Sequence, residues 1–563
     1  FLDRGANLSE EDKEKYRRLS TNLKLFELEF KHNKQRDEND FELLLKNSKD
    51  LVGLPANVLE MAASEAKSRE KEGYLFTLSD YSYLAFMRYA ENRNLRKKLY
   101  LARSNIANNN NGYDNKELLK NIVNMRLEIA RLMGYDSYAS YALKNRMAKS
   151  QENVTSLMNQ LLAYYKPLAS NEYNMLQGYV YGIENVDSIK IMPWDWYYYS
   201  EKLKSLHYKI SDEMTRPYFE LERVKQGVFN LVTTLYGLSF KKNPKIQTYH
   251  PDITAYEVFD KRGRFKAVLY TDLLQRPSKL SGSWMSTLQN QYIDSLEGNH
   301  RPHVVLAMNF APPTDSLPSL LTFSEVEELL HEFGHALHEM LSECTYRSQS
   351  GTNVEQDFVE LPALMMENWL REKEFLDRIT VHYQTGKKIP ADMIKKLIDA
   401  ANFHVGYECT RQVYLSLLDL AWHTINMPFN GDFEKFEKET SQLTTVFPET
   451  PNTLLSTSFE HIFSDDGYAA GYYGYIWSEV LEADAFSVFK EAGIFSVATA
   501  ESFRDYVLSR GDTEDPNNLY IRFRLRKPSI DALLKQKGIT PLPSIQNEVF
   551  EPTDTDAETI KNE

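Results

Sequence analysis

Two histidines and a glutamate in the second half of the chain have residue types and a spacing that suit metal-dependent hydrolysis. His331 and His335 are four residues apart, and Glu332 directly follows the first histidine. On a helix, residues four apart lie one turn above each other, so both imidazoles can bind one tetrahedral ion. Glu332 would be turned about 100° from His331, where a carboxylate can accept a proton from an activated water. The pattern predicts a zinc site with Glu332 as the general base.

Two simpler explanations of the same pattern are a chance match and a pair of partly buried helix histidines. In a chain of this composition the HExxH pattern arises by chance with a probability of roughly one or two per cent. The flanking residues favour a capped amphipathic helix, because Ser324 and Glu327 are spaced as a capping box. Apolar residues then recur at helical spacing, as expected for a buried face: Val326, Leu329, Leu330, Phe333, Leu337 and Met340. We therefore favour the metal site.

A third protein ligand must come from outside this helix, since a catalytic zinc usually takes three protein ligands and keeps one open position. The stretch 351–369 supplies four carboxylates: Glu355, Asp357, Glu360 and Glu367. Spacing alone does not choose among them. Pro362 favours a helix start or kink close to Glu360.

The elements that must position these residues are mainly helical. Helical patterning runs from Leu8 to about Leu143 and again from Thr322 onward. Two β-type runs, 254–260 and 265–270, surround a turn that contains Gly263 and predict a hairpin. A third run, 303–309, is expected to extend a small sheet and to end at Pro312. These patterns predict a mainly α fold with a small β-sheet near the metal helix.

The domain organisation expected from the sequence is linear. It consists of an N-terminal helical region (1–150), a catalytic region (151–545) and an acidic tail (546–563). The tail is polar and poor in aromatic residues, so we expect it to be disordered.

Composition limits the classes of function. The chain has 66 basic and 80 acidic residues, and its net charge of -14 disfavours binding to nucleic acid or anionic lipid. No apolar run is long enough to span a bilayer. The only two cysteines, Cys344 and Cys409, fit a reducing compartment, so a cytoplasmic location is expected. The periplasm is the alternative, because the chain begins with Phe1 and an upstream segment with its signal is expected to be missing.

The residues around the metal motif resemble the thimet-type oligopeptidases, a family that includes oligopeptidase A and the bacterial peptidyl-dipeptidases. The resemblance rests on HEFGHALH (331–338) and SGTNVEQDFVELP (350–362), and it extends over most of the chain through 76–100, 194–203, 249–260 and 301–310. It implies that Glu360, the acid of FVE, is the third ligand of one Zn²⁺ ion beside His331 and His335. It also implies two helical lobes flanking a deep substrate channel that admits short unstructured peptides.

Three functions are compatible with this resemblance. The first is a monomeric peptidyl-dipeptidase that releases C-terminal dipeptides, the branch that these stretches resemble most. The alternative is an endo-acting oligopeptidase, and the third is a non-catalytic helical protein that binds peptides. A peptidyl-dipeptidase must bind a free carboxylate, for which the candidates are Arg276, Lys279 and Arg411. Departures from the family pattern bear on substrate preference: Leu280, Gln356, Ala363 and Leu364.

A tyrosine cluster lies between His461 and Tyr475, where Tyr468, Tyr472 and Tyr475 are separated by four and three residues. The residues alone indicate ordinary aromatic packing. The resemblance implies instead that Tyr468, Tyr475 and His461 donate hydrogen bonds to the substrate or to a developing oxyanion.

Two further expectations concern this region and the metal site. The stretch 464–466 is longer and more acidic than the usual glycine-rich segment of the family, so we expect this loop to sit differently. Asp357 is the candidate for orienting the two imidazoles.

Overall fold

The fold is taken from a computed structural model, which describes residues 5–184, 189–276, 278–279, 282–296, 298–313 and 317–540. The expected tail at 546–563 and Leu280 lie outside the described residues. Helix starts follow local chemistry. For example, the hydroxyl of Ser9 accepts a hydrogen bond from the amide of Asp12 at the start of the first helix.

The described residues of the range 5–208 form eight α-helices and a two-stranded antiparallel sheet. The helices are α1 (Glu10–Asp40), α2 (Ala56–Ser68), α3 (Asp80–Tyr89), α4 (Arg93–Arg103), α5 (Lys116–Leu132), α6 (Tyr138–Leu143), α7 (Gln151–Glu184) and α8 (Pro193–Tyr208), and the strands are β1 (Leu43–Leu45) and β2 (Tyr74–Phe76).

In the part of 209–402 that the structure describes, six α-helices combine with the remaining strands. The strands are β3 (Ser239–Lys242), β4 (Thr254–Phe259), β5 (Phe265–Leu274), β6 (Trp284–Gln289), β7 (Tyr292–Asp294), β8 (Gly298–His300) and β9 (His303–Phe310). The helices are α9 (Asp212–Thr215), α10 (Leu221–Tyr236), α11 (Phe323–Met340), α12 (Leu361–Glu367), α13 (Lys373–Ile379) and α14 (Ala391–Ala401).

Residues 403–540 are helical. The helices are α15 (Val405–His423), α16 (Phe433–Ser441), α17 (Glu460–Phe463), α18 (Gly474–Ala492), α19 (Val497–Phe503), α20 (Pro516–Arg524) and α21 (Asp531–Gln536), with a π-helical turn at Arg504–Leu508.

The chain divides into two compact units that are discontinuous in sequence. The first unit contains Phe1–Tyr208 and Phe403–Tyr473, and the second contains Lys209–Asn402 and Gly474–Glu563. This division differs in kind from the linear boundary expected at residue 150, which falls just before α7 inside the first unit. In the first unit α1 packs on α5 and α7 packs on α15; in the second unit α11 packs on α12 and on the sheet.

The sheet of the second unit has the strand order β3-β4-β5-β9-β6, in which β5 and β9 are parallel and the other pairs are antiparallel. The predicted hairpin is β4–β5, and Gly263 occupies its turn with a φ of 74° that favours glycine. Strand β9, which lies between β5 and β6, is buried at Val304–Met308 and packs against α11. The predicted fold class, mainly helical with a small sheet beside the metal helix, is confirmed.

Among the residues that the structure describes, no helix combines the length and the apolar character that crossing a lipid bilayer requires.

Candidate active site

Helix α11 carries the HExxH motif and begins two residues earlier than predicted. The capping box is formed by Thr322 and Glu325: the Thr322 hydroxyl accepts from the Glu325 amide at 3.1 Å, and the Glu325 carboxylate accepts from the Thr322 amide at 2.7 Å. The predicted box of Ser324 and Glu327 is therefore wrong. Glu327 instead pairs with Arg371 at 2.7 Å. The two candidate capping boxes, Thr322/Glu325 and Ser324/Glu327, have the same spacing. Because Phe323 is already helical, Thr322 is the residue that precedes the helix.

The apolar face predicted for this helix is confirmed. All six of its members are at most 1% exposed, and they pack in the interior of the second unit. His331 and His335 lie on a different face and are half-buried, while Glu332 is 8% exposed. The buried apolar face thus holds the helix against the core, while the two imidazoles stay accessible.

Gly334 allows a close approach between α11 and the start of α12. A Cβ atom at this position would lie 2.3 Å from the carbonyl oxygen of Pro362 and 2.5 Å from the Cα of Ala363. Glu360 immediately precedes α12, and Pro362 lies in its first turn, as the sequence indicated. The glycine therefore permits the helix contact that brings the Glu360 carboxylate to the histidines.

Three side chains converge at this contact. The Oε2 atom of Glu360 lies 3.4 Å from His331 Nε2 and 3.2 Å from His335 Nε2. One ligand atom from each of the three residues lies within 4.8 Å of the others. Two imidazole nitrogens and one carboxylate oxygen are a donor set that a catalytic zinc takes in proteins. The residues present therefore fit a metal ion.

The other predicted ligand candidates do not belong to this group of three. Glu367 lies at the end of α12, where its Oε1 atom is 2.7 Å from His331 Nδ1. This contact orients the ring so that Nε2 faces Glu360. The sequence suggests Glu367 only as a possible ligand and Asp357 as the residue that orients the imidazoles. Asp357 is buried in the preceding loop, where its carbonyl accepts from the Ser478 hydroxyl at 3.0 Å; its effect on the imidazoles stays a prediction.

The electrostatics of the group follow from burial and from the facing charges. Burial acts to lower the pKa of His331, but the carboxylates of Glu360 and Glu367 raise it to about 10. Burial acts to raise the pKa of Glu360, but the two imidazoles hold it well below its usual range. Burial raises the pKa of Glu332, against the opposing effect of the histidines. A glutamate with a raised pKa is a better proton acceptor near neutral pH.

The predicted hydrogen-bond donors are divided between the two units. His461 lies in α17, and Tyr468 and Tyr472 follow in a turn-rich stretch; we call residues 461–473 the tyrosine segment. The ring of His461 lies 6.1 Å from that of Tyr468 and 5.7 Å from that of Tyr472. Tyr475 is the second residue of α18 in the other unit, and α18 packs on α12. The roles of His461, Tyr468 and Tyr475 stay predictions.

Comparison with known proteins places this site in a family. Residues 86–539 match the family model for peptidase family M3. The chain belongs to peptidase family M3. Oligopeptidase A from Escherichia coli (strain K12) is 36% identical over 95% of this chain and 79% of that protein. Dipeptidyl carboxypeptidase from the same organism is 30% identical over 96% of this chain and 79% of that protein.

Among solved structures, that of PZ peptidase A with inhibitor 2 aligns with a TM-score of 0.48 at 14% identity, over 87% of this chain and 77% of that one. The family assignment does not depend on this likeness.

Peptidase family M3 is a metallopeptidase family, and its membership of this family makes the chain a metallopeptidase. Two features of its metal group could not be found from spacing. Glu367 acts on His331 from 36 residues away, and Gly334 matters because of what it packs against. The only sequence signal for the role of Gly334 was its position inside a predicted helix. Glycine normally weakens a helix, so its presence there suggests that another element packs closely against it.

Proposed function

We propose that this chain is a zinc-dependent oligopeptidase that hydrolyses internal bonds of short, unstructured peptides. The observation that carries the proposal is the convergence of His331, His335 and Glu360 in one donor group. Glu332 adjoins that group on the same helix and has the raised pKa of a base. Membership of peptidase family M3 gives this arrangement its reaction class.

The residues divide the chemistry among them. His331, His335 and Glu360 would hold one Zn²⁺ ion, which when bound acts as a Lewis acid and makes water a nucleophile at neutral pH. Glu332 takes the proton from the attacking water and passes it to the leaving amine. Glu367 holds the Nδ1 proton of His331 and so keeps Nε2 available for the ion.

Developing negative charge on the scissile carbonyl oxygen requires preorganised donors. We assign this task to the hydroxyls of Tyr468 and Tyr475 and to a ring N–H of His461, as the family resemblance implies. Desolvation by the surrounding protein atoms lowers the pKa of His461, which favours the neutral ring with one N–H to donate.

Endo-acting hydrolysis is supported over dipeptide release by two observations. The sequence motifs favour the peptidyl-dipeptidase branch, but oligopeptidase A from Escherichia coli is more similar to this chain than dipeptidyl carboxypeptidase from the same organism, at 36% against 30% identity. Of the cations suggested for a substrate carboxylate, Arg276 and Lys279 lie 2.6 Å and 3.0 Å from the buried Asp272. That pairing occupies both cations and leaves exposed Arg411 on α15 as the remaining candidate.

Product analysis of one decapeptide, as the free acid and as the C-terminal amide, tests this proposal. An endo-acting oligopeptidase cuts an internal bond and accepts both forms at rates within about twofold of each other. Stepwise loss of C-terminal dipeptides, with the amide cut at least about tenfold more slowly, would show a peptidyl-dipeptidase; that factor corresponds to ~1.4 kcal/mol. Glu332→Gln serves as the control for contaminating peptidases. Binding without any hydrolysis would support the non-catalytic alternative.

We further propose that the protein acts as a monomer in the cytoplasm, with short peptides as its partners. Light scattering of the purified protein tests the monomer, and cell fractionation tests the compartment.

A further inference from the structure

The tyrosine segment is held from inside the first unit by buried polar side chains of three helices. They are Glu27 on α1, Arg126 on α5, and Asp419 and His423 on α15, and each is at most 1% exposed. We call these four residues the polar clamp. None of them belongs to the metal group, and all of them lie in the same unit as the tyrosine segment.

Asp419 binds the segment directly after Tyr468. Its Oδ1 atom accepts from the amide of Ala470 at 2.9 Å, and its Oδ2 atom accepts from the amide of Tyr472 at 2.9 Å. Between these contacts the chain makes a tight turn, in which the Gly471 amide donates to the Tyr468 carbonyl at 2.8 Å. Ala470 has a φ of 54°, which a non-glycine residue adopts only at a cost. The carboxylate thus holds a strained turn in place.

His423 connects Asp419 to Arg126. The Arg126 Nη1 atom lies 2.8 Å from His423 Nε2, and a guanidinium can only donate, so Nε2 must be the unprotonated ring nitrogen. The ring proton therefore sits on Nδ1, which donates to the Asp419 backbone carbonyl at 2.8 Å and also lies 2.8 Å from Asp419 Oδ1. The imidazole therefore links the Arg126 guanidinium to Asp419 in one fixed tautomer.

Arg126 holds the start of the segment. It donates to the carbonyls of Ile462 at 2.5 Å and Asp465 at 2.7 Å, and it pairs with Glu27 at 2.8 Å. The acidic stretch 464–466 is therefore held within the first unit. At its edge, Asp466 pairs with Lys24 of α1 at 3.0 Å.

The clamp fixes the backbone and leaves the reactive side chains accessible. Ala469 and Ala470 are buried, whereas His461 is exposed and Tyr468 is half-buried. Burying charged groups costs free energy, and apolar residues of similar size often stabilise a fold as well or better. A buried charged network that binds the backbone at four points of one short segment is better explained by positioning than by stability.

We propose that Asp419, His423 and Arg126 are positioning residues that fix the direction of Tyr468 and His461 for stabilisation of the transition state. This inference rests on the proposed function, because it requires those two side chains to act as donors. An amide in place of the Asp419 carboxylate turns one acceptor into a donor that faces another donor, which releases the turn after Tyr468.

Asp419→Asn tests the proposal, with Asp195→Asn as the matched control. Asp195 is also a fully buried carboxylate of the first unit, bound by Arg93 at 2.6 Å and Arg96 at 3.0 Å, but it does not touch the tyrosine segment. We expect Asp419→Asn to lower kcat at least about tenfold with less than about threefold change in KM. Amide hydrogen exchange within 462–473 should accelerate. Asp195→Asn should lower thermal stability and leave both kcat and this exchange unchanged.

A double-mutant cycle with Tyr468→Phe separates the possible failures. If Asp419 acts through Tyr468, then adding Asp419→Asn to Tyr468→Phe lowers kcat by less than about threefold more. The positioning role is overturned if the double variant loses a full further tenfold in kcat relative to Tyr468→Phe. It is also overturned if Asp419→Asn keeps the wild-type kcat while Tyr468→Phe is slow. Wild-type kcat in Tyr468→Phe overturns the donor assignment of the proposed function instead. If Asp419→Asn does not fold, Arg126→Lys replaces it, since a lysine cannot serve both carbonyls and the imidazole at once.

Discussion

His331 is the residue on which the electrostatics of the metal group centre. Its Nε2 atom faces Glu360 and its Nδ1 atom faces Glu367, so two carboxylates act on one imidazole from opposite sides. With no ion bound, both contacts favour the protonated ring and raise its pKa to about 10. A metal ion must displace that proton from Nε2, so metal binding to this site releases protons and weakens as the pH falls.

Replacing the three neighbouring acids one at a time tests the ligand assignment. Glu360→Ala removes a ligand and should lower zinc occupancy most. Glu367→Ala leaves all ligands but loses the contact with His331 Nδ1, so zinc affinity should fall by about 10- to 100-fold. Glu355→Ala, outside the group, is the control and should bind zinc as the wild type does. Competition with a zinc chelator measures all three; equal affinities for Glu360→Ala and Glu355→Ala would rule out Glu360.

At the scale of elements, the site depends on the contact between α11 and α12. This contact sets the distance between a motif that belongs to one helix and an acid that precedes another. Since a Cβ on Gly334 would lie 2.3 Å from a backbone carbonyl oxygen, no side chain can move aside to make room for it. The two helices would have to separate, and Glu360 would move away from the histidines.

Gly334→Ala should therefore destabilise the protein by ~1–3 kcal/mol and lower its zinc affinity, although alanine is the better helix former. Gly178→Ala is the matched control, because Gly178 lies inside α7 and a Cβ added there would have no atom within 4 Å. That substitution should stabilise by ~0.5–1 kcal/mol. Thermal unfolding and chelator competition measure both effects, and wild-type zinc affinity in Gly334→Ala would show that the helix contact does not place Glu360.

Helix α18 contains a buried acid that should make stability depend on pH. Burial, together with the charges of Glu367 and Glu479, raises the pKa of Glu482 to about 8 against the opposing effect of a hydrogen bond from Asn368. Its pKa in the unfolded chain is about 4.3. A raised folded-state pKa gives stability that is fully present below the unfolded value and is lost as the pH rises through about 8.

Glu482→Gln should remove this loss, because the amide cannot ionise and its carbonyl can still accept from Asn368. We expect the variant to be more stable than the wild type by ~1–3 kcal/mol at pH 9 and to differ little at pH 5. Glu491→Gln, exposed near the end of the same helix, should leave the wild-type profile unchanged. Denaturant unfolding at pH 5 and pH 9 measures the free energy of unfolding of each variant. If this free energy changes equally with pH in the wild type and in Glu482→Gln, the prediction is contradicted.

How far the sequence predicts these elements depends on the range of the contacts. The HExxH geometry could be predicted because the helical period alone brings His331 and His335 together. The predicted start of α11 is wrong by two residues because Thr322/Glu325 and Ser324/Glu327 have the same capping-box spacing, which the sequence pattern alone cannot distinguish. Glu360 came from the family resemblance, and Glu367 was missed as an orienting residue, because both depend on the approach of α12 that Gly334 permits.

At the scale of the whole molecule, the residues named in the proposal are distributed over two units that are each discontinuous in sequence. The metal group, Glu332 and Tyr475 belong to the second unit, whereas His461, Tyr468 and the polar clamp belong to the first. The tyrosine segment ends at Tyr473, where the chain passes from one unit to the other. Helical periodicity could not predict this division, because the segment is a series of turns and not one helix.

The central claim is that one zinc ion at His331, His335 and Glu360 supports hydrolysis with Glu332 as the base. Zinc titration of the chelator-treated protein, with peptide hydrolysis as the readout, tests it most directly. Wild-type activity should rise linearly with added zinc and stop rising at one zinc ion per chain. Glu332→Gln should also bind one zinc ion per chain but hydrolyse the peptide ~10²- to 10⁴-fold more slowly. Full activity before zinc is added, or wild-type hydrolysis by zinc-loaded Glu332→Gln, would contradict the account.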